Sequence, residues 1–282
     1  MYMNTKIKVL ILFLCLIAPV SYVVPKTVVH PWKNKKVAFF GDSITDPNIK
    51  TKGTDSKGRT NMHYWDYLHE WLGITPYVYA ISGRQWNDIP RQTDRLNKEH
   101  GGDVDAITIF MGTNDFITDI PLGEWFTVKE DSVVVALSRP KAKVARMHRE
   151  LNMDNKTLRG RINIAMDKLK SVYPDKQIVI LTPIHRAFAT FSEKNIQPDE
   201  TYANRLGLYV EDYVKAIRET ADVWSVLVID LYSLSGLYPM KQEHYRYFNK
   251  PDTDRLHPNT PGHERIAKTL YYQFLTLPCE LK

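Results

Sequence analysis

Ser43 stands in the run Phe39-Phe40-Gly41-Asp42-Ser43-Ile44-Thr45-Asp46, just past a cluster of apolar residues and a glycine that permits a tight turn. A hydroxyl beyond the carboxyl end of a buried strand lies where open α/β sheets bind their ligands. With a base in reach it would be a nucleophile; without one it is the N-cap of the next helix. A base stands near the other end of the chain, in Asp254-Arg-Leu-His257-Pro258. Two intervening residues let one turn bring the carboxylate beside the imidazole. The acid can then accept the Nδ1 hydrogen, fix the tautomer and leave Nε2 free to take a proton from a hydroxyl.

Acyl transfer also needs donors aimed at the oxygen on which negative charge develops. Ser82-Gly83 offers a backbone N–H that no side chain shields, and Gly112-Thr113-Asn114-Asp115 offers the Asn114 amide. Taken singly, each reads as a turn, where Gly and Asn are common. The histidine pairs His63 and His69, or His257 and His263, lack the i, i+4 and Cys/His spacing of zinc sites, so no metal is expected. His263, near the start of the last helix, reads as a surface or packing residue.

These residues need strands to carry them. Five short apolar runs recur, Val37 to Phe40, Tyr77 to Ile81, Ala106 to Phe110, Ile178 to Leu181 and Val226 to Ile229. Such runs suit parallel strands buried on both faces, and the segments between them are long enough for crossover helices. The helical period shows in Tyr64, Tyr67, Leu68, Trp71 and Leu72, stopped by Gly73; in Leu158, Ile162, Ala165, Leu169 and Val172; and in Tyr209, Tyr213, Ala216 and Ile217. The last helix is expected to open with Thr260 as N-cap and Pro261 at its first position. The alternation predicts one doubly wound α/β domain from residue 26 to 282. Two stretches exceed a plain crossover, an insertion at 116–157 with a strand expected at Val133 to Leu137, and a loop from His185 to Asn204. Long connections of this kind are lids, binding loops or surface excursions.

Taken in order, Gly41-Asp42-Ser43, Gly83, Gly112-Thr113-Asn114-Asp115 and Asp254-x-x-His257 resemble the four motif blocks of the SGNH, or GDSL, hydrolase family. The resemblance spans essentially the whole chain beyond its leader. It implies Ser43 as nucleophile, His257 as general base and Asp254 as its orienter. The implied oxyanion hole comprises the Ser43 and Gly83 backbone N–H groups and the Asn114 side-chain amide. The implied fold is a three-layer α/β/α sandwich with a flavodoxin-like, mainly parallel five-stranded sheet, working without cofactor or metal. The insertion at 116–157 and the bulky Arg84-Gln85-Trp86 after Gly83 depart from the family pattern and bear on substrate rather than chemistry.

Residues 1–25 read as a secretory signal, with Lys6 and Lys8, an apolar run from Val9 to Ala18 and then Pro19-Val20-Ser21. The run is short of the roughly 20 residues that span a bilayer, so a secreted or periplasmic chain without stable membrane insertion is expected. Past the leader Cys279 is the only cysteine, which excludes an internal disulfide and leaves stability to the core. In 282 residues, 38 Lys plus Arg against 32 Asp plus Glu is a mild excess with the signs interspersed, which does not indicate a nucleic-acid partner. The expected function is a serine esterase removing short acyl groups, acetyl foremost, from a small-molecule or glycan ester. A lipolytic esterase or lysophospholipase would need a continuous apolar groove. A non-catalytic glycan-binding module would carry a broken set, whereas every position here is intact. Trp86 and Trp125 could stack on sugars or anchor the core.

Overall fold

Val37 and Phe39 point to one side of the first strand and Ala38 and Phe40 to the other, and all four are buried in two separate hydrophobic clusters. A strand covered on both faces forces a layer of helices on each side of its sheet. The computed structural model describes residues 30–136 and 139–279, so the expected leader lies outside the described residues.

In chain order the strands are β1 (Lys36–Gly41), β2 (Thr75–Val78), β3 (Ala106–Phe110), β4 (Phe126–Val135), β5 (Ala142–Leu151), β6 (Gln177–Leu181), β7 (Ala189–Ser192), β8 (Asn195–Gln197), β9 (Leu227–Ile229), β10 (Phe248–Lys250) and β11 (Asp254–Pro258). The helices are α1 (Tyr64–Leu72), α2 (Ile89–His100), α3 (Thr113–Ile117), α4 (Leu158–Val172), α5 (Val210–Arg218), α6 (Thr220–Trp224), α7 (Leu231–Leu234) and α8 (Thr260–Leu275). The central sheet runs β2-β1-β3-β6-β9, every pairing parallel. Ile107, Ile109, Ile178 and Ile180 join Ala38 and Phe40 under α2, α4 and α5, while Val179, Leu181 and Ile229 join Val37 and Phe39 under α1 and α8. This is the expected three-layer sandwich.

The boundaries differ in instructive ways. The second strand was expected at Tyr77 to Ile81, but its ladder covers Thr75–Val78. The chain beyond still leans on β1, with the Tyr79 N–H donating to the Phe39 carbonyl at 3.0 Å and the Ile81 N–H to the Gly41 carbonyl at 3.3 Å. α1 stops at Gly73, whose φ of 65° is the left-handed conformation that glycine adopts without strain. The cap of α8 is Asn259 rather than Thr260, because the Asn259 amide oxygen accepts from the Gly262 N–H at 3.0 Å. Thr260 instead spends its hydroxyl on Thr51, at 2.8 Å.

The insertion at 116–157 contains a two-stranded antiparallel ribbon, β4 against β5, in which almost every residue is exposed. The strand expected at Val133 to Leu137 is the distal part of β4, Leu137 lying outside the described residues. The base of the ribbon is bolted to the body: the Asn163 amide on α4 donates to the Trp125 and Asn152 carbonyls, both at 2.9 Å, and Trp125 Nε1 donates to Glu219 at 2.8 Å. The loop at 185–204 carries β7 and β8, which join β10 and β11 in a small antiparallel sheet ordered β10-β11-β7-β8. Among the described residues no helix is long and apolar enough to cross a membrane. Cys279 is buried, and that burial pushes its thiol up to about 12, which leaves it inert.

Candidate active site

Ser43 sits in a tight turn at the carboxyl end of β1, where the Asp42 carbonyl accepts from the Thr45 and Asp46 N–H groups at 3.1 and 2.9 Å. The Asp42 side chain braces the turn by accepting from the Ile44 N–H at 3.1 Å. Gly41 is needed here for space and not for an unusual backbone angle, contrary to the turn-forming role expected of it. A Cβ would lie 2.6 Å from Thr45 Oγ1 and 2.9 Å from the Phe110 carbonyl oxygen. Ser43 is left 7% exposed, so its hydroxyl reaches solvent only through the cleft above it.

His257 and Asp254 arrive on β11. The carboxylate of Asp254 accepts the His257 backbone N–H at 3.1 Å and contacts ring Nδ1 at 3.0 and 3.1 Å. Nε2 then lies 2.8 Å from Ser43 Oγ. The three-residue spacing thus fixes the ring from its own backbone as well as from its far nitrogen. With hydrogen on Nδ1, Nε2 carries the lone pair that accepts from the serine hydroxyl.

The two expected donors flank the serine. Gly83 follows β2 in a turn closed by Arg84 N–H to the Ile81 carbonyl at 3.3 Å, with φ at 76°. A side chain there would be strained although nothing lies within 4 Å to obstruct it. Asp46 holds this turn against the nucleophile's own loop by accepting from the Ser82 N–H at 2.8 Å. The Asn114 amide, at the start of α3, donates to the Arg84 carbonyl at 2.9 Å and, at the longer 3.3 Å, to Asp42. Its neighbour Asp115 is fully buried, accepting from Arg161 at 2.9 Å and from the Trp86 N–H at 3.1 Å. Burial raises the Asp115 carboxyl to about 6 in spite of Arg161. Burial likewise raises Asp42 to about 7, opposed by the Ile44 N–H and by His257.

The space above Ser43 is an open cleft of about 290 Å³, lined by Ser43, Ser82, Gly83, Asn114, Phe191, Asn195, Gln197, Leu256 and His257. None of these comes from the insertion at 116–157. Trp86 is completely buried and Trp125 8% exposed, so both anchor the core and neither offers a ring to a ligand. The aromatic ring that the cleft does present, Phe191, belongs to the second long excursion. No feature of the sequence marks it, because it reaches the site through the pairing of β7 with β11. Asp46, Gln92 and Arg186 also escaped the sequence reading. Arg186 is buried beneath the wall and donates to Thr113 Oγ1 at 3.0 Å and to the Thr113 carbonyl at 3.3 Å, while its other terminal nitrogen donates to Gln197. Among the described residues no group of His, Cys, Asp or Glu is arranged to hold a metal ion. His263 is a packing residue: it is buried against His63 and Tyr64, and burial holds its ring well below the usual range.

The sequence model of the GDSL-like Lipase/Acylhydrolase family matches residues 39–265. No curated protein sequence matches the chain. Among solved structures, a protein from Lactobacillus plantarum superposes with a TM-score of 0.61 at 23% identity, covering 86% of this chain and 96% of its own. A possible lipase from Chitinophaga pinensis gives 0.58 at 21%, covering 86% and 98%. The acetyl xylan esterase AlAXEase gives 0.51 at 19%, covering 84% and 98%. At these identities the likeness is one of fold.

Proposed function

Since the chain belongs to the GDSL-like lipase/acylhydrolase family and is therefore a carboxylic ester hydrolase, we propose that it removes short acyl groups, acetyl foremost, from carbohydrate through a Ser43-His257-Asp254 triad. The observation that carries the mechanism is the 2.8 Å approach of His257 Nε2 to Ser43 Oγ, with Asp254 on the opposite nitrogen. His257 takes the hydroxyl proton as Ser43 Oγ bonds to the ester carbonyl carbon. Asp254 stabilises the imidazolium that results. The negative charge moves onto the carbonyl oxygen, toward the Ser43 and Gly83 N–H groups and the Asn114 amide, whose longer contact with Asp42 gives way. Collapse breaks the bond to the alcohol oxygen, which receives the proton from His257. Water, deprotonated by the same imidazole, then attacks the acyl-enzyme and releases the acid.

The substrate reading rests on the cleft wall. Ser82, Asn114, Asn195 and Gln197 supply polar groups, while Phe191 and Leu256 are the apolar side chains of the lining. A long acyl chain would gain about 0.8 kcal/mol per methylene only against a continuous apolar surface. The expected leader adds that the substrate is met outside the cytoplasm. Acetylated xylan is a suitable first polymer, because a protein of the same fold is an acetyl xylan esterase.

A fluorophosphonate should label Ser43, as mapped by peptide mass spectrometry, and a series of soluble esters should be cleaved best at acetyl, with acetate released from acetylated polysaccharide. Label on another residue would sink the triad. Efficiency rising from acetyl to octanoyl, with no acetate released from any glycan, would move the assignment to a lipolytic esterase.

A further inference from the structure

Phe191 lies against the base of the proposed triad. Its ring centroid is 5.3 Å from that of His257, the planes inclined by 65°, and yet 44% of the residue is open to the cleft. Among the described residues it is the one phenylalanine so exposed, and it shares the cleft with a single other apolar side chain, Leu256. Its position is built. β7 pairs Ala189 with Asp254, and the Thr190 N–H donates to the Thr253 carbonyl at 2.7 Å, so Phe191 is tied to the strand that carries the imidazole. β8 then returns Asn195 and Gln197 to the same wall, and Gln197 is anchored from below by the buried Arg186. Gln197 Nε2 donates to Asn195 Oδ1 at 3.0 Å, which orients the Asn195 amide. Among the described residues Asn195 Nδ2 has no partner.

The chemistry decides which part of an ester comes here. The carbonyl oxygen must turn toward Gly83 and Asn114, whereas the alcohol oxygen must lie within reach of His257, which returns a proton to it. The alcohol portion is therefore delivered to the His257 side of Ser43, and the surface waiting there is Phe191 and Asn195. We propose that these two residues form the subsite for the sugar ring that bears the acyl group. The face of Phe191 stacks on the apolar C–H face of a pyranose, and Asn195 Nδ2 donates to a ring hydroxyl. This inference rests on the triad and on the carbohydrate reading above.

The test compares Phe191→Ala, Phe191→Tyr and Asn195→Ala with the parent on methyl acetate, whose alcohol has no ring, and on a monoacetylated methyl xyloside. Phe191→Ala should lose about tenfold more kcat/KM on the xyloside than on methyl acetate, chiefly through KM. Phe191→Tyr should recover most of that difference, and Asn195→Ala should show a smaller loss of the same selectivity. Equal losses on both substrates would mean that Phe191 merely shields the imidazole, and no loss on either would remove the subsite; both outcomes overturn the proposal. Xylohexaose titrated into Ser43→Ala, followed by calorimetry, separates the subsite from the carbohydrate-esterase reading. Binding that disappears in Ser43→Ala/Phe191→Ala upholds the subsite even if no sugar ester is cleaved. Absence of binding at millimolar xylohexaose, together with no cleavage of the xyloside, overturns both.

Discussion

The side-chain amide of Gln92 clasps the backbone of Gly41, its Oε1 accepting from the Gly41 N–H at 3.0 Å and its Nε2 donating to the Gly41 carbonyl at 3.1 Å. A helix thereby grips the residue two positions before Ser43, at the point where β1 gives way to the turn. In Gln92→Met the carbonyl keeps its longer contact with Ile81, while the buried N–H is left without a partner. The variant should lose about 1–3 kcal/mol in urea denaturation, with a lower kcat from a slackened serine turn.

Asn114→Ala removes the only side-chain donor of the proposed oxyanion hole. Its kcat should fall roughly 10²- to 10³-fold with a much smaller change in KM, measured by steady-state hydrolysis of an acetyl ester. An unchanged kcat in the folded variant would reduce Asn114 to a turn residue.

His257→Ala should be more damaging than Asp254→Ala, because the first removes the proton acceptor and the second only its orienter. The His257 backbone N–H also donates to Asp254 at 3.1 Å, so losing the acid frees the strand as well as the ring. A His257→Ala variant of near-normal turnover, with Ser43 still essential, would point to another base.

Asp42 ties stability to pH in an unusual direction. Its carboxyl is raised by burial from about 3.8 to about 7, so the folded protein holds a proton that the unfolded chain has already released. The associated stability is fully present below about pH 4 and is lost as pH rises through about 7. Asp42→Asn should flatten this decline. Denaturation at pH 5 and pH 8 should show the parent losing more stability than the variant between the two, and parallel losses would refute the assignment.

The sheet could be read from the sequence because strands covered on both faces spell continuous apolar runs, as in Ala106–Phe110 and Gln177–Leu181. Ser43, Gly83, Asn114 and the Asp254-His257 pair were legible for a related reason: each lies at a strand end or in a short local spacing that sequence records directly. The ribbon of β4 and β5 was largely hidden, since strands exposed on both faces have no burial pattern to impose alternation. Phe191 and Arg186 were hidden because their roles arise from long-range pairing. Gln92 leaves a trace in the sequence: on α2 the buried positions are Ile89, Gln92, Thr93 and Leu96, and an amide on an apolar stripe signals a buried partner.

The two halves of the proposed chemistry ride on different sheets. Ser43, Gly83 and Asn114 follow the ends of parallel strands, whereas Asp254 and His257 lie on β11, in the antiparallel sheet that also holds Phe191 on β7. The halves meet across a seam where Thr260 donates its N–H to the Lys52 carbonyl and shares its hydroxyl with Thr51, both at 2.8 Å. A change confined to the 185–204 excursion would alter the surroundings of His257 and leave in place the turns of Ser43, Gly83 and Asn114, which hang from the other sheet. The threonine seam thus works as a hinge pin between two independently built halves, helping to hold the register that leaves Ser43 and His257 2.8 Å apart.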